Sequence, residues 1–417
     1  LPAGDWAAAQ RGAWAFRTDG FGGLAASPLE THAIPWRLVA AALVLDAQQA
    51  DPSIKLDHAA LRPILSAFGF LFPDRIGNWP AGLPAPAASA LPLGMTHGVL
   101  QPIRGLPVAI ANLGCAACHA GAGYDASGNA DPGQAWLGMP NSSIDLERYT
   151  VAVFDAMRRQ ARDPARLMQA TATIFPEMGT REQFTLRWLV LPRVEKRLRE
   201  LSAAGRPLPF PNGLPGSTNG VAAPKQALST PLAGGGPGEL GFVSVPDLGA
   251  RDWRRGLLVD GAYAVPGEDA ARPTYATDRT SAHQDAQAAI ATFFTVPSMG
   301  VHPDRAYEGL GAARDVFAFL AAYQAQPFPG PIDRAAAARG AKLYARECAA
   351  CHGSYTGDAR PRLASFPNWI GDVGTDPLRA RLFDDALIQA VAKTQYRDRI
   401  VPRRGRGYAA PPLAGLW

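Results

Sequence analysis

Cysteine, net charge and long apolar runs are all scarce in this chain. Its 417 residues include only 4 cysteines, and 41 basic against 36 acidic residues leave a formal charge of +5. So small and scattered an excess argues against nucleic acid as a partner. No segment approaches the roughly 20 consecutive apolar residues that a membrane-spanning helix needs, so the sequence predicts no transmembrane segment.

The composition nevertheless predicts a folded protein. Hydrophobic residues make up 47% of the chain, enough for a packed core, and the length indicates two or three domains. Gly 43 and Pro 38 are about a fifth of the residues, below the roughly 25 to 30% of low-complexity sequence. We therefore expect long irregular loops between helices. The first residue is Leu1, with no charged segment followed by an apolar one, so we expect an already processed chain.

All four cysteines lie in two copies of one pentapeptide. The copies are Cys115-Ala-Ala-Cys118-His119 and Cys348-Ala-Ala-Cys351-His352, so no thiol is left for a disulfide. C-x-x-C-H is typical of c-type haem attachment, because each thiol can form a thioether with a haem vinyl group and the adjacent histidine can ligate the iron. The sequence therefore predicts two covalently bound c-type haems, with His119 and His352 as the proximal iron ligands.

Two other uses of paired cysteines fit less well. A zinc site usually brings its two C-x-x-C pairs within roughly 15 to 20 residues, and here they are far apart. A thioredoxin-like redox pair favours a βαβ context that the sequence does not show. Because c-type haem is attached outside the bacterial cytoplasm, we predict a periplasmic or otherwise exported bacterial protein.

Helical periodicity dominates the pattern of apolar residues, and strand-like alternation is scarce. The segments with helical spacing are residues 35–49, 58–70, 144–160, 164–174, 181–202, 305–323, 333–349 and 377–393. The predicted fold class is mainly α, with two cytochrome c-like haem domains and long irregular loops.

Proline, glycine, serine and threonine mark the predicted boundaries. They dominate residues 205–241, which predicts a long loop, and a second break falls at residues 327–331. We predict an N-terminal helical region with the first haem (1–204), a Pro/Gly-rich connector with helices (205–330), and a C-terminal cytochrome c-like domain with the second haem (331–417).

The distal side of each iron decides between electron transfer and ligand chemistry. For the first haem, Met178 is a candidate distal ligand, in a turn before a helix; the alternative is a methionine that fills a core gap. His97 and His302 are expected to be solvated or hydrogen-bonded. A first haem without a protein distal ligand would make this protein an enzyme.

The second haem has no histidine or methionine after His352 from which to take a distal ligand. Three options remain. The ligand comes from upstream, with His283 or His302 as candidates; it is a side chain such as Tyr396 or Lys393; or it lies beyond the last residue, which we favour.

Several segments carry a family resemblance. They are Ile34-Pro-Trp-Arg-Leu-Val, Leu91-Pro-Leu-Gly94, and residues 113–121, 137–146, 340–353, 373–380 and 411–417. On these segments the chain resembles the dihaem c-type cytochromes related to the rubber oxygenases, which themselves resemble bacterial dihaem cytochrome c peroxidases. The resemblance covers most of the chain and is weak between residues 201 and 305.

The resemblance implies a first haem with an exchangeable distal site for dioxygen or peroxide, and a six-coordinate second haem that passes electrons. In that family a histidine shortly after the Leu-x-Gly-Leu-Trp stretch ligates the second haem, and this sequence ends at Trp417, just before it. Because the chain is shorter than the rubber-cleaving members, polyisoprene is not implied as the substrate.

Two further groups of residues have a candidate role. Lys393, Arg397, Arg399, Arg403, Arg404 and Arg406 could pair with haem propionates or steer an acidic redox partner, and the alternative is a solvated basic face. Trp136, Trp188, Trp253 and Trp369 could relay electrons between the haems, and the alternative is ordinary packing.

The sequence thus predicts a dihaem oxidoreductase. In it the haem at His119 performs dioxygen or peroxide chemistry, and the haem at His352 transfers electrons to or from a redox partner protein or a small-molecule oxidant. The alternative is a pure electron-transfer cytochrome subunit of a larger assembly, with both irons six-coordinate.

Overall fold

The computed structural model describes residues 3–19, 34–86, 91–203, 210–232, 241–278, 281–295, 302–357 and 362–413. Helices account for 45% of the chain and several small sheets accompany them, so the predicted helical character is confirmed. None of the helices in these ranges is long and apolar enough to cross a membrane.

Sixteen α-helices are described. They are α1 (Ala3–Trp14), α2 (Trp36–Ala50), α3 (Leu61–Ser66), α4 (Cys115–Cys118), α5 (Leu146–Gln160), α6 (Pro164–Ile174), α7 (Thr180–Thr185), α8 (Leu191–Ala203), α9 (Ala222–Ala227), α10 (Ser281–Ile290), α11 (Pro303–Ala306), α12 (Leu310–Ala321), α13 (Arg334–Glu347), α14 (Ala349–His352), α15 (Leu378–Arg381) and α16 (Asp385–Val391). Short π-helical turns follow α1, α7 and α10.

The strands are short, apart from two hairpins. They are β1 (Ile34–Pro35), β2 (Arg75–Ile76), β3 (Met95–Ile103), β4 (Leu106–Leu113), β5 (Ala120–Tyr124), β6 (Ala130–Leu137), β7 (Ser217–Thr218), β8 (Val243–Ser244), β9 (Gly256–Leu257), β10 (Tyr263–Ala264), β11 (Thr274–Tyr275), β12 (Ser354–Thr356), β13 (Arg362–Phe366), β14 (Ile370–Gly371), β15 (Val401–Pro402) and β16 (Tyr408–Ala409). The sheet orders are β1-β4-β3, β2-β6-β5, β15-β10-β9, β11-β13-β12, β14-β16 and β7-β8.

Aspartates define the starts of several helices. The carboxyl of Asp145 accepts a hydrogen bond from Arg148 N at the start of α5, and that of Asp163 accepts one from Arg166 N at the start of α6. The first residue of α6 is Pro164. Proline suits this position because the first N–H groups of a helix have no acceptor within the helix, so none is lost. These local signals explain why the predicted segments 144–160 and 164–174 agree closely with α5 and α6.

Other sequence-based expectations were incomplete. The predicted helix at 377–393 is two helices, because Asp384 caps a new one at α16. Helices α1 and α10 and the hairpins β3–β4 and β5–β6 were not predicted. The expected loop at 205–241 contains α9, and its residues 205–209 and 233–240 lie outside the described ranges.

Two apolar cores organise the described residues. We call the first the N-terminal core: it unites α2, α3, α5 and α6 with the β3–β4 hairpin. Helix α2 is its centre, because its side chains from Leu38 to Leu45 are buried on all faces. The second, which we call the central core, unites α1, α10, α12 and α16 with β9 and β10. Helix α4 lies where the two cores meet, since Ala117 belongs to the first and Cys115 to the second.

Candidate haem sites

The first C-x-x-C-H segment lies between two hairpin strands. Strand β4 ends at Leu113, α4 carries both cysteines, and β5 begins at Ala120. The preceding loop passes very close to α4: Gly94 has φ +78°, and a Cβ there would lie 1.9 Å from Ala117 N. Only glycine fits this position, because a side chain would meet the helix backbone.

The loop after β6 satisfies the carbonyl groups at the end of α4. Asn141 donates from its backbone N to Cys118 O (2.7 Å) and from Nδ2 to Ala117 O (3.1 Å). Gly138 N donates to His119 O (2.7 Å). The carbonyls at a helix C-terminus have no partner within the helix, so these bonds fix the position of the motif. Gly138 and Asn141, which donate these bonds, belong to the 137–146 segment, one of those on which the resemblance rests.

The ring of His119 is oriented by a proline carbonyl. Its Nδ1 lies 3.1 Å from Pro246 O. A carbonyl can only accept, so Nδ1 carries the proton and Nε2 keeps a free lone pair. That is the arrangement an iron-ligating histidine needs, since the hydrogen bond at one ring nitrogen sets the tautomer at the other.

The first motif packs against both apolar cores, with Cys115 and Ala116 in the central core and Ala117 in the N-terminal core. Cys118 and His119 retain some accessible surface, yet burial raises the pKa of both Cys115 and Cys118 to about 12. Burial also lowers the pKa of His119 to about 4; the charge of Arg251 adds to this effect, and the hydrogen bond to Pro246 opposes it. These surroundings therefore keep the imidazole neutral, which is the form that binds a metal.

The residue after Pro246, Asp247, makes several hydrogen bonds. The Asp247 carboxyl accepts hydrogen bonds from Tyr323 Oη (2.8 Å) and Gly249 N (2.6 Å). Burial raises the pKa of Asp247 despite these bonds. Arg251 donates to Asp247 O, so the turn that carries Pro246 is braced from both sides.

The second C-x-x-C-H segment has the same histidine geometry. Helix α13 ends next to Cys348, and α14 includes His352. Nδ1 of His352 lies 2.8 Å from Pro411 O, which leaves its Nε2 available for a metal. Tyr344 Oη, which donates to Gly353 O (2.8 Å), ties the helix to the end of the motif.

The second site is far more open than the first. Helix α13 has no buried residue, and Leu343 is 51% exposed. Cys348, Cys351 and His352 are half-buried. The two motifs thus share a ligand geometry and differ in how much protein surrounds them.

The residues considered as distal ligands have other surroundings. Met178 is buried in the N-terminal core, to which Ala117 of the first motif also belongs. His283 is fully buried on α10 with Nε2 3.5 Å from Glu268 Oε1, while the exposed His302 caps α11. Tyr396 is buried in the central core. Any role for these residues as iron ligands stays a prediction.

The predicted basic cluster has protein partners for most of its members. Arg404 pairs with Asp385, Arg397 Nε lies 3.5 Å from Asp398, and Arg403 donates to Glu268 O (3.3 Å). These contacts favour an ordinary solvated surface over haem contacts for Arg404 and Arg397, both of which are exposed.

The four tryptophans lie in different environments. Trp188 is 61% exposed and Trp136 donates from Nε1 to Gln324 O (2.9 Å). Trp253 is buried, and its carbonyl accepts a hydrogen bond from Asn368 Nδ2 (3.4 Å), next to Trp369 in the chain.

Sequence reasoning missed the groups that position the motifs. Pro246, Pro411 and Asn141 were not singled out. A Pro-x-Leu pattern occurs at 246–248 and 411–413, but it recurs elsewhere in the chain, as at 63–65, and does not link either proline to a motif. The partly buried Arg251 and the buried Arg254 had no signal that distinguishes them from the chain's other arginines.

Comparison with known protein families agrees with the second site. Residues 335–406 match the family model described as "Cytochrome C oxidase, cbb3-type, subunit III". No curated protein and no solved structure is significantly similar to the chain.

The matched segment contains α13, α14 and the whole second motif, and such a domain implies a covalently bound c-type haem with its iron. It also implies a haem-based redox role and a redox partner, and domains of this kind are typically exported. The chain therefore contains a cytochrome c domain at residues 335–406 that serves haem-based electron transfer.

Proposed function

We propose that this protein is a dihaem c-type cytochrome of the periplasm, with a second covalent haem on Cys115 and Cys118 and His119 as its iron ligand. The observation that carries the proposal is the match between the two histidines. Each donates from Nδ1 to a proline carbonyl, at 3.1 Å for His119 and 2.8 Å for His352. A histidine held in this way presents Nε2 as a ligand.

We infer that the two haems have different roles. A c-type haem supplies one-electron transfer and, where its sixth position is open, dioxygen or peroxide chemistry. The open surroundings of His352 suit exchange of electrons with a partner protein. The first motif, with Cys115 and Ala116 in the apolar central core, suits oxidation chemistry, because apolar surroundings limit the access of water to the reacting groups.

Three features of the chain suit the first site to hold an iron with an exchangeable position. Pro246 fixes the His119 tautomer, and Asp247, Tyr323 and Arg251 brace the turn that carries Pro246. The apolar surroundings keep His119 neutral. The candidate distal ligands His283 and His302 are engaged by Glu268 and by the cap of α11. We therefore propose an iron at His119 with an exchangeable sixth position.

Carbon monoxide binding to the reduced protein tests this division. We expect one haem per chain to bind carbon monoxide, and we expect that signal to disappear in Cys115→Ala/Cys118→Ala. It should persist in the matched variant Cys348→Ala/Cys351→Ala. Failure of both irons to bind carbon monoxide or cyanide would contradict an exchangeable first site.

A second candidate function is pure electron transfer as a subunit of a larger assembly. The description of the matched family model, which names an oxidase subunit, favours it. Two low-spin irons in the paramagnetic-resonance spectrum of the oxidised protein, with no carbon monoxide binding, would support this alternative over oxidation chemistry.

A further inference from the structure

Two large aromatic side chains are exposed on neighbouring turns of one helical segment. Phe184, on α7, is 50% exposed, and Trp188, in the π-helical turn that follows α7, is 61% exposed. The guanidinium carbon of Arg187 lies 5.2 Å from the centre of the Trp188 ring. Exposed apolar residues that stand singly are ordinary, but rings on neighbouring turns form a larger exposed apolar surface, which is typical of an interaction site.

The packing of this segment holds Trp188 outward. Leu186 and Leu191 are both fully buried in the N-terminal core, and Leu191 N donates to Leu186 O across the π-helical turn. Residues five apart in such a turn lie on the same side of the helix, so a residue between them faces away from that side. A rotation that buried Trp188 would expose both leucines. The fold itself therefore keeps the indole ring in contact with solvent.

The other side of α8 is already occupied. Val194 and Leu198 are partly buried and pack against the N-terminal core. The apolar residues of α8 that face the protein thus have partners within it, whereas Phe184 and Trp188 lie on the solvent side of the same segment.

Basic side chains precede and follow the two aromatic residues along the chain. Residues 181–200 contain six basic and three acidic residues. Four of the basic residues are exposed and lie close to the aromatic pair in sequence. We call the exposed side of this segment the basic aromatic face; it comprises Arg181, Phe184, Trp188, Arg193, Lys196 and Arg199.

The carboxylates of the segment do not neutralise these charges. Glu182 is buried, with its Oε2 2.9 Å from Arg37 Nη1, and Glu200 Oε2 lies 3.3 Å from Arg197 Nη1. Among the residues that the structure describes, none of the four basic residues of the basic aromatic face has a carboxylate within ion-pair distance. The face therefore combines exposed aromatic surface with positive charge that the protein leaves to the solvent.

We propose that the basic aromatic face binds the surface of a membrane that contains anionic phospholipids. Tryptophan and phenylalanine rings lie favourably at the level of the lipid headgroups, and arginine and lysine attract the phosphate groups around them. The outer side of a helical segment is convex, and mobile headgroups can meet flexible basic side chains in any arrangement. These features favour a lipid surface over a protein partner with fixed acidic groups.

The attachment is peripheral and has two contributions. Each basic side chain near an anionic surface strengthens binding by about fivefold, and this part weakens as salt screens the charges. Insertion of the exposed part of Trp188 among the headgroups contributes about a further tenfold. The inference does not depend on the number of haems, because residues 181–199 contain neither motif.

Co-sedimentation of the purified holoprotein with lipid vesicles tests the proposal. We expect the protein to sediment with vesicles of phosphatidylglycerol and phosphatidylcholine, to remain in solution with vesicles of phosphatidylcholine alone, and to be released by salt. Absence of binding to the phosphatidylglycerol vesicles would overturn the proposal in favour of an acidic protein surface as the partner.

Trp188→Ala tests the aromatic contribution. It should weaken binding to the anionic vesicles by about tenfold, because the exposed ring is lost. The matched control is Trp6→Ala, which removes a tryptophan that is 38% exposed on α1. Equal affinities of these two variants would overturn the assignment of the contact to Trp188.

Lys196→Glu tests the charge at this face. Two charge units change, so we expect binding to weaken by about 30-fold. Lys55→Glu is the matched control, because Lys55 is also exposed and its replacement changes the net charge of the chain by the same amount. Equal weakening in the two variants would show that only net charge acts, and would overturn the proposed face.

Fluorescence quenching by brominated lipid measures the position of the indole ring. Brominated phosphatidylcholine mixed with phosphatidylglycerol should quench part of the tryptophan fluorescence of the unaltered protein. Trp188→Phe should sediment with these vesicles and lose that quenching. Quenching of the same size in Trp188→Phe would contradict insertion of Trp188 at the membrane surface.

Discussion

A proline carbonyl orients the histidine at both motifs, and this is the most informative feature at the scale of single residues. Pro246 and Pro411 each accept from a histidine Nδ1. The cysteines and histidines could be predicted because their spacing is local and chemically specific. Pro246 could not, because it lies 127 positions from His119 and only the fold brings the two together.

Asn141 is the residue that we expect to matter most for holding the first motif. It is 3% exposed, and its Nδ2 donates to Gly69 O (2.9 Å) and Ala117 O (3.1 Å). Asn141→Ala should lower the free energy of unfolding by about 2 kcal/mol, because the buried Ala117 carbonyl and the partly buried Gly69 carbonyl lose their donor. Urea unfolding measures this.

The same variant should carry less haem on the first motif and a normal amount on the second, as peptide mass analysis would show. Asn129→Ala is the control, since Asn129 is exposed. Equal losses of haem from the first motif in the two variants would mean that Asn141 does not position the motif.

At the scale of elements, the sequence predicted helices better than strands. Segment 164–174 was predicted to be helical and is α6, because helical periodicity and its Asp163 cap are both local signals. The β3–β4 hairpin was missed because β3 is buried only at its start and is largely exposed beyond it, so it lacks the alternation of a half-buried strand.

The contact between α1 and α12 depends on a glycine. A Cβ at Gly12 would lie 1.9 Å from Asp315 O, so the two helices approach as closely as their backbones allow. Gly12→Ala should destabilise the protein by about 1–3 kcal/mol, because the helices must separate. Thermal unfolding tests this against Gly311→Ala, on α12, where a Cβ would meet nothing within 4 Å.

Gly311→Ala should be neutral or stabilise the protein by up to about 1 kcal/mol, as expected for a helix position with free space. Equal thermal stability of Gly12→Ala and Gly311→Ala would contradict the close packing of α1 on α12.

A buried lysine joins α9 to the start of α16. Lys225 is 1% exposed; its Nζ lies 2.6 Å from Asp384 Oδ2, and Asp384 also caps α16. Burial alone would raise the pKa of Asp384, but the hydrogen bond from Lys225, the hydrogen bond from Leu387 N and the charge of Lys225 act together against it, and the pKa is lowered. A carboxyl whose folded pKa is lowered stabilises the protein above its ordinary pKa of about 3.9, and that contribution is lost as pH falls through the folded value.

Asp384→Asn should therefore cost about 2 kcal/mol at pH 7, a value reduced for the partial exposure of Asp384. The difference from the unaltered protein should shrink as pH falls below about 4. Urea unfolding at pH 7 and pH 3 measures both. Lys225→Met/Asp384→Asn should lose less than Asp384→Asn alone, since no unpaired cation remains. A pH-independent difference would contradict the pairing.

At the scale of the whole molecule, the central core draws residues from all three predicted regions. The central core includes Ala9, Val221 and Leu387, one from each of the predicted regions 1–204, 205–330 and 331–417. The division at those boundaries stays a prediction. Asn368 lies between the segment after Pro246 and the segment before Pro411. Its Oδ1 accepts a hydrogen bond from Arg255 N (2.8 Å), and the carbonyl of the next residue, Trp369, accepts one from Ala410 N (3.0 Å). Hydrogen bonds at Asn368 and Trp369 thus connect the chain after Pro246 with the chain before Pro411.

The central claim is that this chain carries two covalent haems, one of them attached at Cys115 and Cys118. The most direct measurement is the mass of the intact protein after acid denaturation and extraction with organic solvent, with Cys115→Ala/Cys118→Ala measured in parallel. We predict a mass increase of two haems for the unaltered chain and of one haem for the variant. A single haem on the unaltered chain, unchanged in the variant, would contradict the account.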